Sequence, residues 1–195
     1  MLSVIIATQD CERRLVPTLA ALVSGALAGL VREVIVADAG SRDETAKVAD
    51  IAGCRIVVNA APIGARLKSA AAGARGPWLL FLKPGSIPDA TWVGEASRFV
   101  QAVGLAARAQ AQAAVFRAAP AAAGTRPLLA DALALLARAI GARPRPQQGL
   151  LISKQFYQRL GGHAADGADP ESEFLRRLGR RRIITLRCAV TSATI

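Results

Sequence analysis

The sequence predicts an α/β fold: a doubly wound, mostly parallel sheet flanked by helices. Three observations carry that expectation. Short apolar runs alternate with helical patterns over the first 82 residues, the order that builds a parallel sheet through right-handed crossovers. The runs are apolar throughout, as in strands covered on both faces. At 195 residues, the chain is long enough for one sizeable core.

The elements follow in order. Leu2 to Ala7 is a short buried strand. Leu15, Leu19, Leu22, Ala26 and Leu30 recur at helical spacing. Val34 to Ala37 is a second buried strand. Ser41 is placed to cap the next helix, with Asp43 and Glu44 in its first turn. Gly53 suits the end of that helix, and Arg55 to Val58 is a third strand. An Ala-rich helix spans Gly64 to Arg75 and stops at Gly76-Pro77. Trp78 to Leu82 is purely apolar and therefore central.

Lys83 to Pro88 has the composition of a turn. Asp89 caps a helix that buries Trp92, Ala96, Phe99 and Val103. A strand is expected near Ala113 to Arg117, a loop over Ala119 to Pro127, and an amphipathic helix over Leu128 to Ile140. The loop Arg143 to Gly149 leads to a short strand, Leu150 to Ile152. Ser153 caps a helix that ends at Gly161-Gly162. Asp169-Pro170 starts another, with Pro at its first position. It runs to about Gly179, and Arg182 to Leu186 is the last strand. No internal repeat and no domain boundary interrupts the series.

Hydrophobic residues make up 52% of the chain but aromatics only 4%. The core is therefore built from Ala, Val, Ile and Leu. The net charge of +11 is almost all Arg and draws polyanions: nucleic acid, anionic lipid or phosphorylated substrates. No basic patch is interleaved with aromatics, so nucleic acid is disfavoured as a partner. Cys11, Cys54 and Cys188 are widely spaced, without a C-x-x-C, which suggests neither a zinc nor a redox motif. An odd cysteine count and no signal-like segment fit a reducing, cytoplasmic setting. The longest uncharged stretch, Leu15 to Val31, falls short of the ~20 apolar residues of a membrane span. Arg176, Arg177, Arg180, Arg181, Arg182 and Arg187, with Arg143, Arg145 and the 128–140 helix, would suit peripheral contact with an anionic membrane. The helix's apolar face equally suits plain core packing.

Several segments carry a family resemblance. Leu2-Ser-Val-Ile-Ile-Ala-Thr8 leads the chain. Asp38-Ala-Gly-Ser41 follows the second strand. Ala72 to Leu82, Gln148 to Lys154 with Arg159 to Gly162, and Pro170 to Leu178 follow in order. Together these resemble family 2 glycosyltransferases. The resemblance implies a GT-A-like fold in one domain. Residues 1–88 would form a nucleotide-sugar half and 89–195 an acceptor half. It implies inverting transfer of a sugar from a nucleotide diphosphate sugar to a hydroxyl acceptor, as in cell-envelope glycan synthesis. Thr8 and Asp38 would border the nucleotide, Glu171 would be the base, and Gln148 and His163 would lie on the acceptor side.

The departures from that family are specific. Ala39 stands where a second carboxylate usually faces the base. Lys83-Pro84-Gly85 replaces the metal-holding D-x-D, so the side chains offer no oxygen ligands for a hard metal. Glu171 stands for an Asp and Lys68 for an Asn. No metal ligands are therefore expected, and a divalent metal stays open only without its usual ligands. Lys83, with Arg66 and Lys68, could offset the charge of a departing diphosphate instead; a merely solvated Lys83 fits the residues equally well.

Bland readings stand beside these roles. Asp38 also suits a turn. Glu171 and Glu173, the two candidate bases, would as first-turn acids stabilise a helix macrodipole anyway. A lone His163 is commonly structural. The alternative to an enzyme is a non-catalytic protein of the same fold that binds a nucleotide or a partner. A sugar-phosphate nucleotidyltransferase would need a Gly-rich loop after the first strand, and Ala7 to Arg13 contains no Gly.

Overall fold

The computed structural model describes residues 1–105, 111–119 and 144–193. Eight strands among them form one sheet: β1 (Leu2–Thr8), β2 (Val31–Asp38), β3 (Arg55–Val58), β4 (Trp78–Leu82), β5 (Ser86–Pro88), β6 (Ala113–Ala118), β7 (Leu150–Ser153) and β8 (Ile183–Ser192). The helices are α1 (Glu12–Leu27), α2 (Thr45–Ile51), α3 (Ile63–Ala72), α4 (Trp92–Leu105), α5 (Lys154–Arg159) and α6 (Pro170–Leu178). The strands lie in the order β3-β2-β1-β4-β7-β6-β8-β5.

The first four strands are mutually parallel, as their separation by helices requires. β4 then pairs antiparallel with β7, Phe81 opposite Leu150, and β6 runs antiparallel to β7 and parallel to β8. One continuous sheet thus joins the two halves of the chain.

Side-chain alternation divides β1 between two cores. Leu2, Val4 and Ile6 pack with Leu15, Leu19 and Leu22 of α1 and with Trp92, Ala96 and Phe99 of α4. Ile5 faces the other way, toward Leu67, Ala70 and Ala71 of α3, Tyr157 of α5, and Phe174 and Leu178 of α6. Both faces of the central strands are therefore covered, which is why the runs are apolar throughout.

Some local expectations are corrected. Ser86 to Pro88 is not a bare turn but a short strand, paired antiparallel with β8. β8 extends to Ser192, beyond the expected Leu186. Ser41 does not cap α2: that helix begins at Thr45 with no side-chain cap. Asp89 lies three residues before α4, and its carboxylate accepts the N–H and hydroxyl of Thr91; two other caps stand as expected. Ser153 Oγ accepts the Phe156 N–H, and Asp169 accepts the Ser172 N–H with Pro170 in the first turn. The expected helix over 128–140, most of the loop before it, and Arg143 lie outside the described residues. No described helix is long and apolar enough to cross a membrane. Residues Arg176, Arg177, Arg180, Arg181, Arg182 and Arg187 are exposed.

Candidate functional site

The carboxyl ends of β1, β2 and β4, with the segment joining β3 to α3, surround a cleft of about 580 Å³. This is the end of a doubly wound sheet where ligands bind. The strand order also reverses here, since β2 and β4 flank β1 on opposite sides. One part of the wall is small and apolar: Ala7, Ala39, Ala60, Ala61, Pro62 and Ile63. The other carries Thr8, Gln9, Arg14, Arg66 and Lys83.

Asp38, 1% exposed, is turned inward. Its Oδ1 accepts the hydroxyls of Thr8 and Ser41, and its Oδ2 accepts the N–H groups of Gly40 and Ser41 at 2.9 and 2.7 Å. Burial opposes its ionisation, yet the bonds from Ser41, Thr8 and Gly40 hold the carboxyl below its usual range. The carboxylate thus fixes the turn after β2. It is absent from the cleft wall, where its neighbour Ala39 stands.

The three cations expected to converge do not all meet. Arg66 is 6% exposed. Its Nε donates to the Ala61 carbonyl and its Nη1 to the carbonyls of Thr8 and Ala37. These bonds tie α3 to the ends of β1 and β2 and leave Nη2 unclaimed by any described residue. Lys68 is exposed and does not line the cleft. Two residues along a helix are about 200° apart around its axis, so Arg66 and Lys68 face different ways.

Arg14 takes the vacant place on the cleft wall. Sequence reasoning missed it, because a charged residue in a first helical turn looks merely solvated. The signal was its spacing: Arg14 sits one turn before Thr18, which is completely buried and whose Oγ1 accepts the Gly85 N–H at 2.9 Å. That bond fastens the second turn of α1 to the 83–85 turn.

Lys83 reaches across to α6. Its Nζ lies 2.8 Å from Glu171 Oε2, with the Lys side chain 35% and the Glu side chain 15% exposed. Burial raises the Glu171 pKa, Lys83 pulls it back, and the negative charge of Asp169 pushes it up; the net direction is upward. Glu173 is half-buried and stands toward Gly167. The donor set does not fit a divalent cation. No side chain on the cleft wall is a carboxylate, and no group of three or more metal-ligating side chains occurs among the described residues.

Gln148 and His163 serve the frame. Gln148 Nε2 donates to the Phe116 carbonyl, and its Oε1 accepts the Arg145 N–H. His163 is 2% exposed and packs among Phe81, Tyr157 and Phe174. Its backbone N–H donates to the Tyr157 oxygen, and its Nδ1 lies 2.9 Å from that oxygen.

Burial first, and then the Arg177 charge, push the His163 pKa down to about 4. In the unfolded chain the group titrates near 6.5. The unfolded state therefore binds the extra proton between these values. Stability is full above pH 6.5 and falls as the pH drops toward 4. The expected loss from this group is on the order of 3 kcal/mol. Urea unfolding at a series of pH values measures it, and His163→Asn should flatten that window. An unchanged slope in the variant would assign the loss to other groups.

Residues 3–99 match the model described as "Glycosyl transferase family 2". No curated protein matches the chain. Solved structures of glucosyl-3-phosphoglycerate synthase from Mycobacterium tuberculosis resemble it. The complex of that enzyme with Mn2+, UDP and glucosyl-3-phosphoglycerate gives a TM-score of 0.69 at 21% identity, over 100% of this chain and 72% of that one. The complex with Mn2+, UDP-glucose and glycerol 3-phosphate gives 0.70 at 21%, over 100% and 73%. The complex with Mn2+, UDP-glucose and phosphoglyceric acid gives 0.67 at 22%, over 100% and 72%. At such identity the likeness establishes the fold.

Proposed function

Residues 3–99 make this chain a member of glycosyl transferase family 2, and from that premise we propose that it moves a sugar from a nucleoside diphosphate sugar to a hydroxyl acceptor without a divalent metal. The observation that carries the reading is the Lys83–Glu171 pair. It sets a cation of the cleft wall beside a largely buried carboxylate from the other half of the chain.

In this reading the small apolar wall takes the nucleoside and the cations take the diphosphate. The acceptor oxygen attacks the anomeric carbon while Glu171 receives its proton. The bond from that carbon to the diphosphate oxygen breaks, and its electron pair stays on the diphosphate. Lys83, Arg14 and the unclaimed Nη2 of Arg66 offset the charge that develops there. One in-line displacement inverts the anomeric configuration. A pKa raised by burial makes Glu171 a stronger base than an exposed carboxylate, and Lys83 keeps it ionised until it is needed. Asp38 would shape the nucleotide end by holding the turn rather than by touching the ligand, and Thr8, on the cleft wall, would steady Asp38 through its hydroxyl. Glu173 is the less suited base, since it has no cationic partner on the cleft wall. The similar synthase structures hold UDP and UDP-glucose, which makes a uridine donor the first to try.

The competing reading is a diphosphate-binding protein without turnover, favoured by the same lack of carboxylates on the cleft wall. Calorimetric titration with UDP, GDP and dTDP, each with manganese and with EDTA, addresses the donor site. The expected result is binding that persists in EDTA and weakens at least about ten-fold in Lys83→Ala, since charge-assisted contacts to phosphate are worth about 1.5–3 kcal/mol. Binding only with manganese would overturn the metal-free route. No binding to any of the three would overturn the donor site.

A further inference from the structure

We propose that Lys83 is exchanged between Glu171 and the donor's diphosphate, so that arrival of the donor is what releases the base. The inference rests on the functional reading above and adds the order in which its parts act.

Lys83 is ion-paired with Glu171 at 2.8 Å and also acts electrostatically on the more distant Asp169 carboxylate. Its side chain is also 35% exposed and lines the cleft, so a diphosphate there meets the same ammonium. Arg14 and Arg66 stand on the same wall, and no carboxylate on that wall competes with an incoming anion. Glu171 is held on a different element, in the first turn of α6. It cannot follow Lys83 into the cleft without moving that helix. Lys83 has the longer stem and the more exposed side chain, 35% against 15% for Glu171, so the pair parts from the lysine side.

The charged groups that bear on Glu171 are Lys83, which favours its ionised form, and Asp169, which opposes it; burial opposes it further. Withdrawal of Lys83 leaves the two opposing influences alone. The carboxylate then gains affinity for a proton at the moment a donor is in place. Before that, Lys83 keeps it from deprotonating an acceptor hydroxyl with no sugar to receive. Group transfer itself is unchanged: the proton passes from acceptor oxygen to Glu171, and the diphosphate leaves with the bonding pair.

The test uses the full chain in EDTA, with UDP and inorganic pyrophosphate as probes. Glu171→Gln removes the competitor for Lys83 while keeping the side-chain shape. Its affinity for both probes is expected to rise about five-fold, the factor that corresponds to a favourable, partly exposed ion pair. The wild-type chain needs no variant for the second readout. Titration at a series of pH values with UDP-glucose, whose diphosphate is fully ionised and has no proton of its own to lose, in two buffers of different ionisation heat, is expected to show uptake of a fraction of a proton on binding. Binding by the wild type with unchanged or weaker affinity in Glu171→Gln would overturn the exchange alone. Absence of proton uptake would do the same. Failure of the wild type to bind either probe would overturn the donor site as well, so the two failures are distinguishable.

Discussion

Glu171→Gln is expected to lower sugar transfer by 10²- to 10⁴-fold, the range that removal of a general base commands. The amide keeps the shape of the side chain and can still accept a hydrogen bond from Lys83. It cannot accept the acceptor's proton. The effect should therefore fall on kcat, with the donor's KM unchanged or lower. Release of nucleoside diphosphate from the donor, to acceptor or to water, measures it. Folding is a weak confounder. Among the described residues the carboxylate's only ion pair is with Lys83, and α6 keeps its N-cap bond from Ser172 to Asp169. Transfer within a factor of a few of wild type would remove Glu171 from the chemistry and turn attention to Glu173. A parallel loss in Lys83→Ala would appear differently, as weakened donor binding.

The second large effect concerns stability. Gly64→Ala is expected to destabilise the protein by about 3 kcal/mol, the upper end of what overpacking costs. In an open helix the same change would gain roughly 1 kcal/mol, because Gly is the poorer helix former. Here the new methyl would stand 1.8 Å from the Ala164 carbonyl oxygen and 3.0 Å from Pro170 Cβ. The first obstacle is backbone, so relief requires α3 to part from the segment that leads into α6. That segment positions α6, which carries Glu171 in its first turn, and transfer should fall with stability. Gly94→Ala in α4 is the control: nothing lies within 4 Å of its added methyl, and a small stabilisation is expected. Urea unfolding of the two variants decides the matter. Equal midpoints would mean the 164–170 segment yields easily.

Much of the fold was legible because the relevant physics is local. A purely apolar Trp78–Leu82 has to be central, and it lies between β1 and β7. Ser153, Asp169 and Pro170 announce their helix starts by chemistry that acts within three residues. What escaped depends on partners far along the chain. Nothing in Ser86-Ile87-Pro88 announces a strand, because its ladder partner is Val190 to Ser192. Ser41 looked like a cap because a hydroxyl before acidic residues commonly is one. Its hydroxyl went instead to Asp38, which needed donors to stay charged while buried.

The candidate site was legible one residue at a time and not as an arrangement. Lys83 and Glu171 each stand out, one by replacing a carboxylate and the other by opening a helix. Their separation of 2.8 Å follows only from the docking of α6 against the central sheet. Lys68 was grouped with Arg66 by nearness in sequence, and helical geometry separates them. His163 invited a role as the only histidine. Its closeness to Tyr157 and Phe174 comes from packing of the 161–163 turn, which a single-residue signal cannot convey.

The pairing of β4 with β7 also has a consequence for the protein's birth on the ribosome. β4 is complete at Leu82, while its neighbour on one side begins only at Leu150. At ordinary elongation speeds of about 5–20 residues per second, that edge waits roughly 3–14 seconds for its partner. During this interval the edge of a wholly apolar strand lies open to other nascent chains. Slower translation between the two strands lengthens that exposure, and a chaperone that recognises extended apolar segments would shorten its reach. Mispairing at this edge during synthesis is then a route by which the chain loses folded yield.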